Sequence, residues 1–199
     1  DPYRRLISQE VNKGFTYTIR IVFCGDEITQ SSARRIAVGL LNGFNTPVKS
    51  VTNLENLATT YREIDNKFLR VKAVGYDLSY KKSLQYSPFV NALGTVIFFD
   101  YTDAESFNHL SMWIRESGKG NLEQRFIFIA GLNAKASQKV VSMNSVRDFL
   151  ESFPKESRPT FFNWDEDNKQ PFIDTFKTYV NTIRRKIFKK KYLFGTYLE

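Results

Sequence analysis

The sequence predicts one α/β domain: a mostly parallel, six-stranded sheet with helices on both faces. Two observations predict it. Residues 17–23, 95–101 and 126–131 are short apolar runs rich in β-branched and aromatic residues, the composition of strands buried on both sides. Between them lie segments whose apolar residues recur at helical spacing, and strands alternating with helices of this length form parallel sheets. At 199 residues the chain fits a single domain, and 42% hydrophobic and 15% aromatic residues are enough for a folded core.

A polar lead-in over residues 1–15 precedes the first strand, which covers 17–23. Ala33, Ile36, Ala37, Leu40 and Leu41 then mark a helix that should end at Gly43. Residues 45–66 are polar with weak periodicity and read as a long loop with an edge strand. A strand over 68–74 is interrupted by Gly75, and Pro88 argues against one unbroken helix over 81–93. The strand at 95–101 runs into Thr102, Asp103, Ala104 and Glu105, a capping box for a helix carrying Phe107, Leu110 and Ile114 on one face. Strand 126–131 precedes a helix marked by Val146, Phe149, Leu150 and Phe153 that ends at Pro154. A short strand comes next at 160–162. Pro171 starts a last helix striped by Phe172, Phe176, Tyr179, Val180, Ile183 and Ile187. Residues 16–188 are thus the domain and 189–199 a basic tail.

Composition bounds the function. No apolar run approaches the roughly 18 residues of a membrane span, and no basic-then-apolar leader opens the chain, so no signal peptide is expected. The lone Cys24 closes an apolar strand and reads as a buried, inert thiol. With no Asn-x-Ser/Thr acceptor either, a cytoplasmic location is expected, peripheral to membranes if the tail binds lipid. Net charge is +8. Arg184, Arg185, Lys186, Lys189, Lys190 and Lys191 concentrate the excess on the last helix and tail, where they suit an anionic membrane, an acidic protein or the helix dipole. Nucleic acid is the weakest partner, because no recognition motif accompanies the cluster. His109, the single histidine, lacks metal-ligand spacing around it and reads as a surface residue. Trp113 and Trp164 read as core or boundary aromatics. The acidic run Asp165, Glu166, Asp167 reads as a loop entering a helix N-terminus.

The most telling stretch runs from the first strand into the helix after it. A strand, Gly25, a short loop, the pair Ser31 and Ser32, then a helix have the layout of a phosphate-binding loop. Aligned on G-x-x-x-x-G-K-[ST], however, Gln30 stands for the second glycine and Ser31 for the lysine.

The order of elements resembles that of Ras-superfamily small GTPases, nearest the Rab branch, over residues 16–188. The most specific piece is Val-Ile-Phe-Phe-Asp-Tyr-Thr-Asp-Ala-Glu-Ser-Phe at 96–107 with Trp113 beyond it, similar to the family's fourth strand and its D-x-T-D-x-x-S-F…W continuation. The family's nucleotide motifs are eroded one after another. Ser31 brings no cation to the phosphates, and Gln30 crowds the approach that a glycine allows. Asp26 and Glu27 place carboxylates where phosphate would sit; at about 4 Å each costs on the order of 4 kcal/mol at an effective dielectric near 20. Ser50 or Thr52 falls near the metal-binding threonine of the first switch by spacing alone. The D-x-x-G motif is missing: Val74 or Gly75 occupies its Asp, Asp77 or Leu78 its Gly, and Ser79 or Tyr80 the water-positioning Gln. Of N-K-x-D only Asn133 remains, with Ala136 where a carboxylate would grip the base. Trp164 stands where the family keeps a small residue and would fill part of the base pocket.

The resemblance with eroded motifs implies a pseudo-GTPase that acts as a protein-interaction module or adaptor, with no catalytic residue and no cofactor. Gly25, Ser31, Ser32 and Asn133 would be vestiges of the nucleotide site. The alternative is an atypical GTPase that binds GTP or GDP, with magnesium on Ser32, and switches membrane trafficking. By resemblance, partners would meet the segments holding Asn45, Val48, Tyr61, Tyr76, Tyr80 and Phe89. No C-terminal cysteine is available for prenylation.

Overall fold

The computed structural model describes residues 15–42, 44, 58–62, 68–75, 89, 92–118 and 126–194, and side chains within 20–41, 92–118 and 126–186 and at 44 and 89. Six strands form one sheet: β1 (Phe15–Gly25), β2 (Ala58–Arg62), β3 (Phe68–Gly75), β4 (Gly94–Asp100), β5 (Phe126–Leu132) and β6 (Thr160–Asn163). Their order is β2-β3-β1-β4-β5-β6, with β2 antiparallel to β3 and every other pairing parallel. The edge strand expected within 45–66 is β2. The helices are α1 (Glu27–Asn42), α2 (Ala104–Asn108), α3 (Leu110–Ser117), α4 (Met143–Glu151) and α5 (Gln170–Phe194).

The strands are apolar throughout because both faces are covered. Successive strand side chains point to opposite faces, and the core divides on that alternation. Ile21, Phe23, Val96, Phe98, Phe128 and Ala130 meet Ile36 and Leu41 of α1 and Phe172, Phe176, Val180 and Ile183 of α5. Val22, Cys24, Ile97, Phe99 and Ile129 meet Leu110 and Trp113 of α3 and Val146 of α4. All seven residues of the central strand β4 are buried. On the first face Phe128 packs against Phe172, Phe176 and Tyr179 with ring centroids 5.3, 6.3 and 5.4 Å away. The buried Tyr179 hydroxyl donates to the Phe126 carbonyl at 2.7 Å, and burial pushes its pKa up.

Several boundaries differ from the sequence reading, and the helix expected to carry Phe107, Leu110 and Ile114 is divided at His109 into α2 and α3. The cap of α2 is Asp103 rather than Thr102, accepting from the Ser106 amide at 2.9 Å, because Thr102 is held by Asp100 instead. Helix α1 begins at Glu27, well before the apolar repeat that starts at Ala33. Helix α5 runs unbroken through Lys189, Lys190 and Lys191 to Phe194, so the basic residues expected in a separate tail are helical. Lysine is a good helix former, and cations near a helix C-terminus complement its dipole.

Phe176 touches both Phe23 and Phe128 across this core. Phe176→Ala should therefore lower unfolding stability by about 3–5 kcal/mol, the usual cost of emptying a buried aromatic site, measured as a urea midpoint shift.

Candidate functional site at the carboxyl edge of the sheet

In an open parallel α/β sheet, ligands bind beyond the carboxyl ends of the strands, where the expected phosphate loop would lie. Asp26 alone separates β1 from α1. The Thr29 amide and hydroxyl both donate to the Asp26 carbonyl, at 2.8 and 2.7 Å. A Cβ at Gly25 would stand 2.3 Å from the Thr29 hydroxyl and 2.7 Å from the Phe98 carbonyl. Gly25 is thus needed for a close approach, but of a helical turn rather than a phosphate. Residues 27–32 are helical, so the loop expected between Gly25 and Ser32 is not formed. The amides of Ser31 and Ser32 fall among the i→i−4 hydrogen bonds of a helix rather than in a cradle. The first turn is favoured by Glu27 at the positive end of the dipole and by the lack of a glycine at Gln30.

The Asp26 carboxylate reaches across to α3. One oxygen lies 2.6 Å from His109 Nδ1, and the other accepts from the Trp113 indole at 2.8 Å. Trp113 is fully buried, while the His109 side chain is about half exposed. The Asp26 hydrogen bond raises the His109 pKa; slight burial opposes it, and the charges of Asp26, Glu105 and Asp103 add to the rise. The same carboxylate helps burial push the Cys24 thiol up, leaving it protonated and unreactive. His109 is thus a half-exposed surface residue, as the sequence suggested, and it is paired with Asp26.

At the ends of β4 and β5, Asn133 has a left-handed backbone (φ 58°). Its amide donates to Asp100 Oδ2 at 2.7 Å, while Asp100 Oδ1 accepts from the Thr102 amide and hydroxyl at 2.8 and 2.7 Å. Asn133 therefore braces a buried carboxylate.

Trp164 is nine-tenths buried in the face shared by α1 and α5. Its ring stacks on Phe44 (5.5 Å, 28°) and meets Phe172 edge-on (5.1 Å, 87°). The indole N–H donates to Glu166 at 2.7 Å, and Glu166 also pairs with Arg35 and with Lys169 at 3.5 Å. Burial pushes the Glu166 carboxyl up, but the hydrogen bonds from Arg35 and Trp164 outweigh it and hold the group below its ordinary range. Lys135 bonds Asp165 at 2.6 Å, lowering that carboxyl. The acidic run thus ties the segment between β6 and α5 to α1 and to the segment after β5.

Of the partner residues expected by resemblance, Asn45, Val48, Tyr76 and Tyr80 lie outside the described residues. Tyr61 is on edge strand β2. Phe89 is buried against Val22, Ile97 and their neighbours, so it is a core residue rather than a contact surface. Three large apolar residues that sequence reading passed over are exposed instead: Ile28, Val140 and Met143. Ile28 is in the first turn of α1, and Met143 opens α4. The Val140 amide donates to the Tyr101 carbonyl at 2.9 Å, and Met143 Sδ lies 2.7 Å from the Tyr101 hydroxyl. Tyr101 directly follows β4, so Val140 and Met143 flank one residue at this edge.

No family model matches the chain. It is 27% identical over 114 residues to the Ras-related protein RabH of Dictyostelium discoideum, a match covering 57% of this chain and 54% of that protein. The chain spans about half the length of the curated relative it matches. This distant likeness to a Rab protein, with the parallel α/β sheet, points to a small-GTPase-like fold. Among the described residues, no helix is long and apolar enough to cross a membrane.

The Asp26–His109 pair sets a pH dependence. Because the folded His109 pKa is raised, the pair's contribution to stability is complete below the ordinary histidine value of 6.5 and is lost as pH rises through the higher folded value. An NMR titration should place His109 above 6.5 in the native protein. Asp26→Asn should bring it down, and an unmoved titration in that variant would refute the pairing.

Proposed function

We propose that this domain is a small-GTPase-like scaffold that runs no nucleotide cycle and serves as a protein-interaction module. The observation that carries the reading is the start of α1 at Glu27, with Asp26 as the whole connection from β1. A phosphate cradle needs several unpaired backbone amides converging on one anion. Here that stretch of chain is helix: the Thr29 amide bonds the Asp26 carbonyl, and from Gln30 onward the amides fall in the i→i−4 pattern, so only those of Glu27 and Ile28 face outward at the helix start.

Three further features support the same reading. No lysine stands in the loop's register, and the Asp26 carboxylate is engaged by His109 and Trp113. Asn133 braces Asp100. The Trp164 indole occupies the ground between Phe44 and Phe172, held there by Glu166. Among the described residues, the carboxyl edge offers Ile28, Val140 and Met143 to solvent, and exposed apolar side chains of this kind suit contact with another protein. No cofactor belongs to this function.

Isothermal calorimetry with GTP, GDP and ATP, each with magnesium, tests it. The expected result is no heat of binding at micromolar protein, and a micromolar dissociation constant for any of the three would overturn the reading in favour of an atypical, nucleotide-switched GTPase. The double substitution Gln30→Gly, Ser31→Lys should not restore binding, because the obstacle is the helical backbone as well as the missing side chains. Restored binding in that variant would mean that only the side chains had been lost.

A further inference from the structure

The chain has two methionines. Met112 is partly buried against the core, whereas Met143 opens α4 and is nearly half exposed. The sulfur of Met143 has polar company. The Tyr101 hydroxyl lies 2.7 Å from Sδ, and Asn163 Nδ2 lies 3.8 Å from it. The same hydroxyl is 3.0 Å from Asn163 Oδ1. A phenol has one proton to donate, so it bonds either the sulfur or the amide oxygen at any moment. Two donors, an O–H and an N–H, therefore converge on a thioether, which is a weak acceptor.

Both donors are held from below. Tyr101 is buried, its ring is 4.9 Å from that of Phe99, and its carbonyl accepts from the Val140 and Val141 amides at 2.9 and 3.1 Å. Asn163 ends β6 in register with Gly131 of β5. A Cβ at Gly131 would stand 2.5 Å from Asn163 Oδ1 and 2.7 Å from Tyr101 Cε2, so glycine there lets the two side chains close over the strand end. The ends of β4, β5 and β6 thus build a fixed pair of donors under an accessible methionine.

We propose that Met143 is a redox modification site: a peroxide converts its thioether to a sulfoxide, which Tyr101 and Asn163 then hold. A sulfur lone pair attacks one peroxide oxygen and the O–O bond breaks. The departing oxygen takes up a proton and leaves as water, so sulfur loses the two electrons that the peroxide gains. The product is polar and its oxygen projects beyond the sulfur. The Asn163 amide, too far at 3.8 Å for an N–H···O bond of ordinary length, comes within reach of that oxygen, and the Tyr101 hydroxyl donates to it as well. Oxidation at sulfur gives two epimers, and only the one whose oxygen faces this donor pair is held. Oxidation also turns one of the three exposed apolar residues at this edge polar. That consequence for docking rests on the protein-interaction reading; the modification site itself rests on the three side chains alone. Methionine sulfoxide reductases return the thioether, so the change is reversible.

The test is treatment of the full chain with dilute hydrogen peroxide, followed by peptide mass spectrometry, epimer-specific reductase digestion and urea unfolding. Met143 should gain one oxygen before Met112 does, and one epimer should predominate. The urea midpoint of the oxidised chain should equal or exceed that of the reduced chain. In Tyr101→Phe the epimer excess should fall, and oxidation should lower the midpoint relative to that variant's own reduced form. Asn163→Ala should behave likewise, which keeps the test open where one variant folds poorly. In Met143→Leu the same peroxide dose should leave the midpoint unmoved. Earlier oxidation of Met112, equal epimers in the parent, a midpoint that falls on oxidation of the parent, or an epimer ratio indifferent to both donor variants would overturn the proposal. No readout uses a nucleotide or a partner, so failure here leaves the proposed function standing, and nucleotide binding would leave this site standing.

Discussion

Everything at the carboxyl edge depends on one close approach. Without a Cβ at Gly25, the Thr29 hydroxyl can sit against the end of β1 beside the Phe98 carbonyl, and α1 can begin after a single residue. A longer connection would leave space and unpaired amides above the strand ends, which are the two requirements for holding an anion. The short connection leaves less of both, and it brings the Asp26 carboxylate within reach of α3. One backbone constraint therefore closes the loop and sets the partners of its charged residue.

The rest of the edge is closed by side chains that satisfy one another. Asp26 links His109 and Trp113, Asp100 links Asn133 and Thr102, and Glu166 links Trp164 and Arg35. In each case a carboxylate that would repel phosphate accepts hydrogen bonds from a neighbouring element. Carboxylates bonded in this way have their acceptors satisfied and brace the loops against the sheet. Among the described residues, Ile28, Val140 and Met143 are exposed there beside polar groups such as Glu27, Asn133 and Lys135.

Much of the fold was legible locally. The strands at β1, β4 and β5 stand out because burial on both faces demands unbroken apolar runs, and α5 because its stripe repeats at helical spacing. The start of α1 was not legible. Glu27, Ile28, Thr29 and Gln30 carry no amphipathic signal of their own, and the motif register favoured a loop. Their helical state comes from the packing of Thr29 on Gly25 and Phe98. Phe89 misled for a related reason, since resemblance assigns a segment to the surface without knowing which of its side chains turns inward.

The amino-acid order by itself determined the alternating α/β layout, serine rather than lysine at position 31, alanine at position 136, and the basic block on α5, because each is a matter of composition or short-range period. Tertiary structure alone decided that Asp26 meets His109 and Trp113, separated from it by 83 and 87 residues, and that Trp164 stacks on Phe44. Periodicity records which face of an element is apolar. It holds no record of which polar group on another element completes a hydrogen bond, because that choice is made only when the layers pack and unpaired groups must find partners away from water.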